Sequence, residues 1–143
     1  MNTQRSYGIA AGAMAAFFLA IAGCASMGSG ALSVALSGNQ EVPPVATSAA
    51  GTATIKVGED KSVSVQVKTS GLAVTAAHIH SGAAGTNGPI IVPLTKVDDN
   101  TWTAAPGAKF TEPQYELYKA GNTYVNVHSA AHKGGEIRGQ IRP

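Results

Sequence analysis

The sequence predicts an all-β domain: an antiparallel, Greek-key-like sandwich or partly closed barrel with one short helix. Three observations carry this. Apolar and polar residues alternate with a period of two through most of the chain, the signature of strands with one buried and one wet face. Turn residues interrupt that alternation roughly every eight to twelve positions, the spacing of short antiparallel strands. Only one segment departs from it, and that segment carries helix start and stop signals.

Taken in order, Leu32, Val34 and Leu36 alternate with Ser33, Ala35 and Ser37. Ala53, Ile55 and Val57 do the same against Thr52, Thr54 and Lys56, and Val63, Val65 and Val67 against Ser64, Gln66 and Lys68. Gly58 to Lys61 reads as the hairpin joining the second and third runs. Thr75 to His80, Ile90 to Leu94, Thr123 to His128 and Glu136 to Ile141 are further strands, with a short one at Thr101 to Thr103. Pro93 confines its strand to an edge or a bulge, because proline cannot donate to a ladder. Thr111 is a helix N-cap, Glu112 and Pro113 suit the first turn, and Gly121 is the stop, which gives a helix of about two turns. Trp102, Phe110, Tyr115, Tyr118 and Tyr124 are expected to build one end of the core around that helix.

Composition excludes several functions. The chain has 143 residues, room for one domain. Lys+Arg 10 against Asp+Glu 8 leaves a net charge of +2, too little to neutralise a run of phosphates, so nucleic acid is not a partner. A single cysteine excludes an internal disulfide framework and a four-thiolate zinc cage. No Gly-x-Ser-x-Gly elbow is present. The glycine-rich stretch Ser81 to Pro89 lacks a phosphate-loop ending and reads as a tight turn, as does Lys133 to Glu136. Asn39 to Val45, with Glu41 beside two prolines, reads as a rigid structural loop.

Arg5 precedes an apolar run from Ile9 to Ala22, which suits a signal peptide better than a membrane span. Ile21, Ala22, Gly23 and Cys24 resemble the lipobox of bacterial lipoproteins. The resemblance implies a signal peptide over 1–23, a lipid on Cys24, a flexible tether over 24–30 and a folded domain over 31–143. It also implies a bacterial envelope location, and Ala25 after the cysteine favours the outer membrane. An ordinary secretory signal or an uncleaved anchor is the alternative.

All four histidines fall in two clusters, His78 with His80 and His128 with His132. Residues i and i+2 of a strand share a face, so His78 and His80 project together while Ile79 enters the core. The same parity sets Asn126 and His128 opposite Val125 and Val127, and Glu136, Arg138 and Gln140 opposite Ile137 and Ile141. If these strands are neighbours, one polar face gathers His78, His80, His128, Glu136 and Arg138. Neutral imidazoles suit a transition metal, and copper is preferred over zinc. His78, His80 and His128 are the expected ligands and His132 an auxiliary one, with Asn126, Glu136 and Arg138 as supporting neighbours. The competing reading makes the histidines hydrogen-bonding surface residues.

Leu36 to Val45, Gly51 to Ala53, Ala76 to Gly82, Asn87 to Pro89, Gly121 to His128 and Gly135 to Ile141 together resemble the CHRD (chordin) domain, in that family's order. This implies a β-rich extracellular domain, found in animals in a secreted antagonist of bone morphogenetic proteins and in bacteria in exported proteins. A fainter similarity runs to Cu,Zn superoxide dismutase, a β-barrel whose copper site uses a His-x-His strand pair. Four histidines are too few for both of that enzyme's metal sites, and its paired cysteines are missing. The expected function is therefore a lipid-anchored envelope protein that binds copper for buffering or transfer to a partner, without catalysis. A cell-surface module for a protein or glycan partner is the alternative, and a copper-only dismutase-like oxidoreductase a minor one.

Overall fold

The structure, a computed structural model, describes residues 30–143. The apolar leader, Cys24 and the tether up to residue 29 lie outside the described residues. Eight strands follow in chain order: β1 (Leu32–Ser37), β2 (Ala50–Val57), β3 (Val63–Ser70), β4 (Val74–Ser81), β5 (Ile90–Lys96), β6 (Thr101–Ala104), β7 (Thr123–Ser129) and β8 (Ile137–Ile141). One α-helix, α1 (Glu112–Lys119), lies between β6 and β7, and a short 3₁₀ turn (Gly38–Gln40) follows β1.

All pairings are antiparallel, and the order β1-β2-β3-β6-β5-β4-β7-β8 closes on itself through Ser37 opposite Arg138. The domain is thus a closed barrel, the more complete of the two expected forms, and closure removes the exposed edges that an open sheet would have to protect. The neighbours β3·β6 and β4·β7 are not consecutive in sequence. The second crossover brings β4 beside β7, which in turn pairs with β8.

The barrel interior follows the alternation. Ala53, Ile55, Val65, Val67, Ile79, Val125, Val127 and Ile137 are all buried and form one cluster with Trp102, Phe110 and Tyr118. The β2–β3 hairpin turns at Gly58 to Lys61, with Lys61 N–H donating to Gly58 O at 2.9 Å. Asp60 Oδ1 holds the turn by accepting from the Ser62 hydroxyl at 2.6 Å.

Pro93 sits inside the closed ladder rather than at an edge. It lies opposite His78, and the register between β4 and β5 shifts one pair further on, where Ile79 faces Val92 but His80 faces Ile90. The extra residue, Ile91, makes this a bulge, the second of the two expected accommodations.

Helix α1 starts with a complete capping box. Gln114 N–H donates to Thr111 Oγ1 at 3.4 Å, and Thr111 N–H donates to Gln114 Oε1 at 2.9 Å. Gly121, at φ +73°, ends it as expected. Tyr118 meets Phe110 at 5.8 Å between ring centroids and Tyr115 at 6.1 Å.

Candidate metal centre

The outward face of β4, β7 and β8 is where the polar residues converge. Pairing sets Ala76 opposite His128, His78 opposite Asn126, and His80 opposite Tyr124. It then sets Asn126 opposite Arg138, and Tyr124 opposite Gln140. His78 and His80 flank Ile79, whose side chain fills the core. His128 lies diagonally from His78, and the small side chain of its direct partner Ala76 leaves room for an imidazole to lean across.

The three rings meet. Centroids are 4.9 Å apart for His78 and His128, 5.6 Å for His78 and His80, and 5.9 Å for His80 and His128. Each ring offers one nitrogen to a group whose members all lie within 4.8 Å of one another. His78 Nδ1 and His128 Nε2 are 3.1 Å apart. That is a hydrogen bond if His78 carries a proton on Nδ1. It is equally the span between two ligands of one metal at bond lengths of about 2.0–2.1 Å and an angle near 100°.

Two of the rings are held from behind. His80 Nδ1 lies 2.9 Å from the Gly88 carbonyl and His128 Nδ1 2.9 Å from the Lys133 carbonyl. A carbonyl only accepts, so both Nδ1 atoms carry the proton and both Nε2 atoms keep a lone pair. This is how metal-binding histidines are ordinarily oriented. Nε2 of His80 is buried and has no hydrogen-bond partner. A buried lone pair left unpaired is costly unless something accepts it.

Burial, followed by the neighbouring His128 and His80, pushes the His78 pKa down to about 4. Burial also lowers that of His80, against the hydrogen bond to the Gly88 carbonyl, which raises it. Both rings are therefore neutral at pH 7, so neither is an imidazolium that must lose its charge before a cation enters. Three neutral nitrogens and no carboxylate in the group suit copper or zinc and are a poor match for magnesium or calcium.

The expected neighbours are present in different degrees. Arg138 is buried at 1% exposure with its guanidinium 3.5 Å from the centroid of the Tyr124 ring. Asn126 is buried and donates to Glu41 Oε2 at 3.4 Å. Glu136 faces the 38–49 loop, accepting from Thr47 Oγ1 at 2.8 Å. Its burial opposes ionisation, but hydrogen bonds from Ser129 and Thr47 and the nearby His132 together lower its pKa. His132 is placed in the turn after β7, where its backbone N–H donates to Ser129 Oγ at 3.2 Å. It is not one of the three convergent residues.

Two residues belong here that the sequence reading placed elsewhere. Tyr124 does not join the aromatic end of the core; it stacks on His80 at 5.0 Å and 12°. Its parity with Asn126 and His128 was the available signal, outweighed by its proximity in sequence to the other aromatic residues. Glu41 is no ordinary loop carboxylate. Burial pushes its pKa up to about 7, against the opposing effects of Arg138 and Asn126, and its Oε1 has no partner. Nothing local in the sequence marks it, because the burial comes from the loop folding over β7 and β8.

The CHRD domain family model matches residues 32–141, and the chain belongs to the CHRD-domain family. No curated protein and no solved structure matches it.

Proposed function

We propose that this CHRD-domain protein binds a single transition-metal ion, copper in preference to zinc, and holds it or hands it on without turnover. The ligands are Nδ1 of His78 and Nε2 of His80 and His128. The observation that carries this reading is the convergence of three ring nitrogens within 4.8 Å. The backbone acceptors behind His80 and His128 and the neutral state of His78 and His80 support it. In the metal-free protein the His78 Nδ1 proton bridges to His128 Nε2. A bound cation would take its place as His78 shifts to its Nε2–H tautomer, the Nδ1 proton leaving to solvent and another taken up at Nε2. The lipobox-like segment around Cys24 would set the domain at the bacterial envelope, at the outer membrane, where a transfer partner could reach it.

The test is elemental analysis and a Cu(I), Cu(II) and Zn(II) titration of the chain purified without a His tag. Binding near one metal per chain, lost in His78→Ala/His80→Ala with the fold retained, is the expected result. Unchanged affinity in that double variant would overturn the reading.

A second reading, a surface module for a protein or glycan partner, is favoured by a different feature. A cleft of about 490 Å³ runs between the 38–49 and 82–89 loops, lined by Gln40, Arg138, Gln140 and Arg142. It predicts no stoichiometric metal, and a partner whose capture is abolished by Arg142→Glu.

A further inference from the structure

The strongest unexplained feature of the polar face is a closed circuit of contacts behind His80. The Arg138 guanidinium lies over the Tyr124 ring, 3.5 Å from its centroid, and His80 stacks on Tyr124 with an interplanar angle of 12°. The Gly88 peptide joins the two ends of that stack. Its carbonyl accepts from His80 Nδ1 at 2.9 Å, and its N–H donates to the Tyr124 hydroxyl at 3.1 Å. The same guanidinium holds the loop that carries Gly88. It donates to the Ala83 carbonyl at 3.2 Å, to Asn87 Oδ1 at 3.3 Å and to Gln140 Oε1 at 3.3 Å. Asn87 in turn donates to the Val42 carbonyl at 2.8 Å, which ties the two loops together.

We infer that Tyr124 and Arg138 are positioning residues for the metal centre, fixing the His80 ring in one tautomer and one orientation through the stack and the Gly88 peptide. The inference rests on the metal reading given above, and it says which residues set the quality of that site.

The physical argument is that an imidazole has two soft freedoms, rotation about its terminal torsion and exchange of its proton between nitrogens. The Gly88 carbonyl removes the second freedom only while the 82–89 loop stays in place. The ends of that loop are tied down, Gly82 by its N–H to the Asn122 carbonyl and by its carbonyl to Gln140 Nε2, and Pro89 by its carbonyl to the Ser81 N–H. Between them Ala83, Gly85, Thr86 and Asn87 are all exposed. The planar Tyr124 ring restricts the first freedom. The guanidinium over that ring comes from β8, across β7 from the strand of His80, and keeps the ring from moving away. Arg138 thus acts twice on His80, once through the ring and once through the loop. His78, by comparison, has only His128 as a side-chain hydrogen-bond partner.

The test uses the full chain with Cys24→Ser to prevent lipidation, and copper as the probe. The variants are Tyr124→Leu, Arg138→Met and the conservative Tyr124→Phe and Arg138→Lys. Two readouts separate the inference from the reading beneath it. Ring nitrogen NMR without metal reports the His80 tautomer, and Cu(II) EPR with competition titration reports the site. In the parent His80 is a single Nδ1–H tautomer. In Tyr124→Leu and Arg138→Met it becomes a mixture, the EPR spectrum changes, and copper affinity falls about 10- to 100-fold, at an unchanged stoichiometry. Tyr124→Phe keeps the stack and shows the smaller effect.

If copper fails to bind the parent but the tautomer shifts in the variants, the positioning stands and the metal reading falls. If copper binds the parent and neither tautomer nor spectrum changes in folded variants, the positioning falls. Should the two drastic variants not fold, an unshifted tautomer and spectrum in both conservative variants overturns it equally.

Discussion

The outer surfaces of the two halves of this barrel carry similar sequence alternation and have opposite fates. On β2 and β3 the outward residues Thr52, Thr54, Lys56, Ser64, Gln66 and Lys68 all stand exposed. On β7 and β8 the outward residues Tyr124, Asn126 and Arg138 are at 1%, 2% and 1% exposure. The strands do not differ in kind, since each alternates apolar inward with polar outward. The difference is that the 38–49 and 82–89 loops fold across β7 and β8 and turn a surface into a second, polar interior.

Burial changes what each polar group must do. On the open face water satisfies every donor and acceptor. On the covered face each must find a protein partner or bear the cost. Most succeed, and the network of Arg138, Asn87, Gln140 and Tyr124 is the result. Glu41 Oε1, Asn126 Oδ1 and His80 Nε2 do not. Among the described residues, three of the five unpaired buried side-chain atoms lie on the covered face with the histidines, while Trp102 Nε1 and Thr123 Oγ1 belong to the barrel interior.

The comparison can be broken most severely at Gly88. A Cβ there would stand 1.7 Å from the Ser81 carbonyl oxygen, a backbone atom that cannot rotate away. Gly88→Ala should displace the loop, free His80 Nδ1 and uncover the face. Copper affinity is expected to fall more than about 100-fold, beyond the usual loss from a single supporting contact, as read by competition titration. Gly85→Ala in the same loop, which meets nothing within 4 Å, should leave affinity within a few-fold of the parent although its φ of +79° strains it.

The inner face provides the next largest effect. Ile79 lies between the two strand histidines and is 0% exposed. Ile79→Ala should cost about 2–5 kcal/mol of stability by chemical denaturation. Lys68→Ala on the open face should stay within about 0.5 kcal/mol.

A pH series sharpens the contrast further. His78 falls from its ordinary 6.5 to about 4, so between those values the unfolded chain takes up a proton that the native one does not. Stability from this source is complete above 6.5 and is lost as pH falls toward 4. Glu41 rises from 4.5 to about 7, so the native chain there holds a proton that the unfolded one releases. That contribution is complete below 4.5 and is lost as pH rises toward 7. The two slopes oppose each other over their shared window. Glu41→Gln should therefore give a stability that climbs more steeply with pH than the parent's between about 4.5 and 6.5. Urea unfolding across that range measures it, and an identical slope in parent and variant would contradict it.

The smallest expected effect is at the exposed ion pair of Lys61 and Glu112, 2.7 Å apart. Glu112→Gln should leave the urea unfolding midpoint where it is in the parent, because solvent screens so exposed a pair.

Much of this architecture is legible in the chain because its rules are local. A period of two identifies a strand whatever lies beside it, and Thr111 with Gln114 caps a helix by contacts within one turn. The outward parity of His78, His80 and His128 is equally local. For that reason the three convergent residues can be named from the sequence, together with Asn126 and Arg138 on the same face. Ring closure, the bulge beside Pro93 and the side-by-side arrangement of β4, β7 and β8 are different. They depend on which strands pair, and pairing is decided by burial summed over the whole barrel. Glu41, Tyr124 and the carbonyls of Gly88 and Lys133 reach the histidines only through that arrangement. A residue's type and parity determine which way it points; only the tertiary structure determines what it meets, because the energy of a buried polar contact depends on partners distant in the chain.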